Sequence, residues 1–143
     1  MSRAWPDTLC YRPVMDAQLP MTYLRSVVLD CSDAVGLAEF YAALLGGRAE
    51  TTDPAWCEVI LEGAPKLAFQ YVPSFEPPEW PDGKPQQLHL DLTVSDLEAA
   101  SRRAVELGAR VLGGAVEEPG CVFIVHADPA GHPFCLCQER EGG

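Results

Sequence analysis

The chain contains two copies of one pattern, and that repetition limits its folds more than any other feature. "SVVLDCSDAVGLAEFYAALLGG", starting at Ser26, lies over "HLDLTVSDLEAASRRAVELG", starting at His89, when one slides along the other by 63 residues. Ser32 and Asp33 then fall on Ser95 and Asp96, and Leu29 falls on Leu92. Dropping one residue brings Gly46 onto Gly108. Each copy reads as strand, cap, amphipathic helix and glycine stop. In the first helix Leu37, Phe40, Tyr41, Leu44 and Leu45 recur at helical spacing and form one apolar stripe. In the second, Leu97, Ala100, Ala104, Val105 and Leu107 do the same. Ser95 with Glu98 fits a capping box, and Ser32 or Asp33 can cap the first helix. Gly46 and Gly108 stand where a left-handed residue ends a helix.

Strands complete each unit. "RAETT", "WCEVILEG" and "PKLAFQYV" follow the first helix, and "ARVLGG", "CVFIVHA" and "HPFCLCQE" follow the second. Gly63-Ala64-Pro65 falls on Gly131-His132-Pro133, and Gln70 on Gln138, at an offset of 68. The fold class is therefore α+β, with two tandem βαβββ modules. One helix covers only one face of a four-stranded sheet, so the other face must be buried or curled around something. The expectation is a curved mixed sheet around a central cavity. The expected organisation is a loosely ordered extension over 1–21, a first module over 22–71, a linker over 72–87 and a second module over 88–140. The linker carries five prolines, which excludes helix and central strand and leaves a linker or a lid.

Composition narrows the partners. Lys and Arg number 10 against 21 Asp and Glu, a net charge of −11 over 143 residues. Such a surface repels phosphate backbones and anionic lipid, so neither nucleic acid nor membrane is expected. No apolar run reaches the ~20 residues of a spanning helix, and the first twenty residues lack a secretory apolar core. A cytoplasmic location follows as an expectation. There the six cysteines, Cys10, Cys31, Cys57, Cys121, Cys135 and Cys137, stay free thiols.

The stretch "LHLDLTV" raises the question of function. Alternation puts Leu88, Leu90, Leu92 and Val94 on one face and His89, Asp91 and Thr93 on the other. His89 is then a polar pocket residue, a general base or a hydrogen-bonded structural histidine. Asp91 could orient the imidazole, although residues two apart on a strand are separated by ~6–7 Å. On the first strand the matching face carries Ser26, Val28 and Asp30. Trp56 is a pocket wall or core, Glu58 lies at an edge or in the pocket, and His126 and His132 are expected to face solvent. Cys135 and Cys137 share a face, as small buried hydrophobes or as reactive thiols.

"VVLDCSD", "LAEFYAALLGG", "LAFQYVP", "LHLDLTVSD" and "DPAGHPFCLC" resemble the vicinal oxygen chelate superfamily over roughly residues 22–139. Within it they are similar to the glyoxalase-like and bleomycin-resistance-like branch. The resemblance implies the glyoxalase/bleomycin resistance/dioxygenase fold and a homodimer. It also implies a divalent metal held by one residue from the first and one from the last strand of each module. Those positions fall on Ser26, His89 and Cys135, with Gln70 the one residue near the remaining position able to coordinate. Serine and glutamine are poor ligands and cysteine is soft, so no metal cofactor is expected; were an ion present, His89, Gln70 and Cys135 would hold it.

The functional expectation is a cavity that acts on or binds a small oxygenated metabolite. His89 would be catalytic, and Ser26, Asp30, Trp56, Gln70, Asp91 and Cys135 would line the binding site. As an enzyme it would be a glyoxalase-like lyase or isomerase. The alternatives are a metal-free protein that sequesters its ligand and a regulatory or assembly partner with a vestigial cavity.

Overall fold

The structure is a computed structural model and describes residues 22–140. The extension over 1–21, Cys10 included, lies outside the described residues. The chain divides into two compact units at Pro73/Ser74. Each is built on the repeated pattern.

In the first unit β1 (Ser26–Cys31) leads into α1 (Ala34–Leu45), followed by β2 (Arg48–Asp53), β3 (Trp56–Ile60) and β4 (Lys66–Tyr71). The sheet order is β1-β4-β3-β2. β1 runs parallel to β4, and the other pairs are antiparallel. Period-two alternation sends Leu29, Cys31, Leu67, Phe69, Cys57 and Val59 to the buried face. Leu37, Phe40 and Tyr41 of α1 are buried with them, and Tyr41 stacks on Phe69 with ring centroids 5.6 Å apart. Asp33 caps α1 by accepting a hydrogen bond from Gly36 N at 3.0 Å. Gly46 ends it at φ 70°, a backbone conformation that side chains disfavour.

The second unit repeats this scheme with β5 (Leu90–Thr93), α2 (Leu97–Leu107), β6 (Arg110–Val111), β7 (Val116–Glu118), β8 (Cys121–Ala127) and β9 (Pro133–Glu139). Its order is β5-β9-β8-β6, with β7 also paired to β8. β5 runs parallel to β9, as β1 does to β4. Phe134 and Leu136 are buried on the α2 side together with Leu97 and Ala104. Val105, assigned to the apolar stripe from its spacing, is exposed. β7 carries Val116 followed by two glutamates and is too short to announce itself by alternation.

Two local expectations shift by one residue. The cap of α2 is Asp96, not Ser95: its carboxylate accepts from Ala99 N at 3.1 Å. Gln138 Oε1 on β9 accepts from Leu97 N at 2.8 Å, a long-range partner for a second free amide of that first turn. The other shift concerns the repeat. Asp33 and Asp96 keep the offset of 63, but Val27 pairs with Leu67 and Leu90 with Phe134, which sets the last strands 67 apart, not 68. The first unit has one more residue between its turn glycine and its ladder. A slip of one residue changes which face every side chain occupies.

The proline-rich stretch over 74–87 belongs to the second unit. Phe75 packs against the His132 ring at 5.2 Å. Pro77 lies against Gly131, where an added Cβ would come within 2.6 Å of the Pro77 Cβ and φ is +96°. Both the contact and the backbone therefore require glycine there.

Candidate functional site

In the second unit, alternation along β5, β8 and β9 sends two rows of side chains to the face opposite α2. Asp91 pairs with Cys135 and Cys135 with Val125; Thr93 pairs with Cys137 and Cys137 with Phe123. A cavity of about 350 Å³ opens on this face. Its walls include His89, Asp91, Cys135 and Cys137 together with Trp80 and Gln86 of the proline-rich stretch. Trp80 and Gln86 went unrecognised in the sequence, because nothing local ties a proline-rich loop to the sheet it will cover. Gln86 Oε1 is buried with no hydrogen-bond partner among the described residues.

His89 Nε2 lies 3.1 Å from Asp91 Oδ1. The ~6–7 Å expected between alternate residues of a strand measures backbone spacing. His89 stands just before β5, outside the ladder, and its ring reaches along the strand to the carboxylate. Leu88, expected on the packed face, also precedes the strand and is exposed. Burial raises the Cys135 thiol to about 12, with the Asp91 carboxylate beside it adding to the shift. Burial and Asp91 likewise raise Cys137 to about 11. Both sulfurs are therefore neutral thiols near pH 7, which argues against a nucleophilic role for the protein alone. All five cysteines among the described residues are free.

The remaining expected site residues lie in the first unit. Asp30, Gln70 and Trp56 form one row across β1, β4 and β3. Ser26 begins β1 opposite Lys66. Trp56 is 40% exposed, so it is not core. Glu58 lies on the same face, 3.8 Å from Lys66 Nζ. The histidines around the DPAG turn depart from expectation. His126 is fully buried, stacks on Phe134 at 5.4 Å and lies 2.8 Å from Ser101 Oγ of α2. His132 is half-buried against Phe75. The turn is closed by Asp128, whose Oδ1 accepts from Ala130 N and His132 N.

The sheet register tests the metal set implied by the resemblance. In the first unit the counterpart of Cys135 is Ala68, which pairs with Val28 as Cys135 pairs with Asp91. Gln70 corresponds to Cys137 and not to the ligand position. A serine hydroxyl and a methyl group therefore occupy the two positions in this unit where donors would be needed, and the four-donor set does not fit. In the second unit His89, Asp91 and Cys135 offer donor atoms that all lie within 4.8 Å of one another.

The duplicated topology and the matching profile place the chain in the vicinal oxygen chelate superfamily. The profile of the glyoxalase-like domain covers residues 26–137, and the chain belongs to that family. No curated protein matches it in sequence. Solved structures share the fold. A glyoxalase/bleomycin resistance protein/dioxygenase family enzyme from Burkholderia phytofirmans PsJN has TM-score 0.67 at 15% identity, over 83% of this chain and 100% of its own. A glyoxalase-related enzyme from Fulvimarina pelagi gives 0.64 at 19% identity, over 83% and 89%. A glyoxalase/bleomycin resistance protein/dioxygenase from Nocardioides gives 0.63 at 16% identity, over 89% of each chain. Among the described residues no helix is long and apolar enough to cross a membrane.

Proposed function

We propose that the cavity of the second unit binds or acts on a small oxygenated molecule, without the four-donor ion that the resemblance implies. The observation that carries this reading is the His89–Asp91 contact at 3.1 Å on the wall of that cavity. A carboxylate beside an imidazole fixes the ring's orientation and selects its tautomer. With the nitrogen facing Asp91 carrying a proton, the other ring nitrogen can accept a proton or a hydrogen bond from a ligand hydroxyl. Gln86 Oε1 supplies an acceptor that a ligand donor would satisfy. The Trp80 ring offers an apolar wall for a carbon skeleton.

The test is a heteronuclear NMR titration with small hydroxy, keto and polyhydroxy compounds in the presence of a chelator. The expected shifts fall on His89, Asp91 and the Trp80 indole. His89→Ala is expected to weaken binding at least tenfold while moving the melting temperature by no more than a few degrees, because the ring is 40% exposed. Binding that persists in the variant, or maps elsewhere, would sink the reading.

A second reading is sequestration without turnover. The neutral thiols favour it, since they leave the cavity without a ready nucleophile. A ligand recovered unchanged after long incubation supports sequestration, and a new product supports catalysis.

A further inference from the structure

We infer that His89, Asp91 and Cys135 form a three-donor site for one thiophilic divalent cation of the zinc and cobalt type, contained within the second unit. The inference deepens the reading above, because it assigns a ligand to the same cavity. It departs from the arrangement implied by the resemblance, which draws donors from both modules and suits ions that prefer oxygen. Ser26 and Ala68 supply no such donors. Asp91, two residues beyond the position that the resemblance marks, supplies one instead.

The geometry carries the argument. An imidazole nitrogen, a carboxylate oxygen and a thiol sulfur come from the start of β5, from β5 itself and from the adjacent β9. Their donor atoms lie within 4.8 Å of one another. Tetrahedral zinc places neighbouring donors about 3.3–3.7 Å apart. Rotation of the exposed imidazole and carboxylate, with a contraction of about 1 Å, would bring the three onto one ion. Among the described residues no other group of three such donors converges.

Donor chemistry selects the ion. One sulfur, one nitrogen and one oxygen suit a borderline-soft cation, whereas magnesium and calcium require six or more oxygens. Three protein donors leave a fourth position open toward the cavity, where an oxygen of a bound molecule or water completes the tetrahedron. Uptake forms a metal–sulfur bond and releases the Cys135 thiol proton to solvent, so affinity rises with pH.

The experiment uses the full chain, reduced, stripped with chelator and titrated with Co²⁺. The expected result is saturable uptake of one ion per chain, with a near-ultraviolet sulfur-to-cobalt charge-transfer band and visible bands of four-coordinate intensity. Cys135→Ser is expected to abolish the charge-transfer band, and His89→Ala and Asp91→Asn to weaken uptake at least tenfold. Cys121→Ser and Cys137→Ser retain the band. Circular dichroism and melting temperature establish that each variant is folded before it is titrated. A band that survives in Cys135→Ser, or uptake that never saturates, overturns the inference, as does uptake unaltered by both His89→Ala and Asp91→Asn. Cobalt uptake with no response to the oxygenated compounds supports this inference and ends the preceding reading. A response in chelator without cobalt uptake does the reverse.

Discussion

At the scale of single residues, the two buried or half-buried histidines outside the cavity show how environment assigns a role. His126 Nδ1 lies 3.1 Å from the Ile124 carbonyl, which can only accept, so Nδ1 carries the proton. Nε2 then accepts from the Ser101 hydroxyl, tying β8 to α2. Burial lowers the pKa of this imidazole, with the Ile124 hydrogen bond partly opposing the shift. The folded pKa thus lies below the unfolded value of 6.5, and the stability His126 contributes is fully present above that value. It is lost as pH falls from there through the folded pKa. A melting curve followed downward from pH 7 is expected to show this loss, and His126→Gln to flatten it. An unchanged slope in the variant would assign the pH dependence to other groups. Replacing His126 by Ala at neutral pH removes a stacked, hydrogen-bonded ring and is expected to cost about 3 kcal/mol in chemical denaturation.

At the scale of elements, both helices begin at an aspartate and end at a glycine, although their neighbours differ. Asp96→Ala removes the acceptor for Ala99 N and is expected to cost about 1 kcal/mol. Ser95→Ala is expected to cost close to nothing, and equal losses at the two positions would contradict the assignment of Asp96 as the cap. Gln138→Ala should destabilise α2 through Leu97 N, although the two residues lie 41 apart in sequence. The capping expectation came close because short polar side chains before an apolar stripe act locally. It missed by one residue because Ser95 and Asp96 are both competent, and only the path of the chain leaving β5 chooses between them.

At the scale of the whole molecule, the net charge of −11 is a mutual repulsion that compact folding concentrates. Screening it at about 0.1 M salt, where the Debye length is about 10 Å, is expected to raise the melting temperature by a few degrees. A fall would mean that ion pairs such as Glu117–Arg140 and Glu58–Lys66 dominate. The duplicated βαβββ plan was legible from sequence, because apolar period, caps and glycine stops are short-range patterns that each copy spells out. His89, Asp91 and Cys135 were legible as residues for the same reason, since alternation assigns them to a face. Their convergence was not, because it depends on β9 lying beside β5 in one register out of several. The same long-range hydrogen bonding put Ala68 where a donor had been sought at Gln70, and packing of the 74–87 stretch brought Trp80 to the cavity. The sequence by itself determined which elements form and which way their side chains alternate, since both are set within a few neighbouring residues. Only the tertiary structure decided which side chains meet, because strand register and loop docking are fixed by partners dozens of residues away.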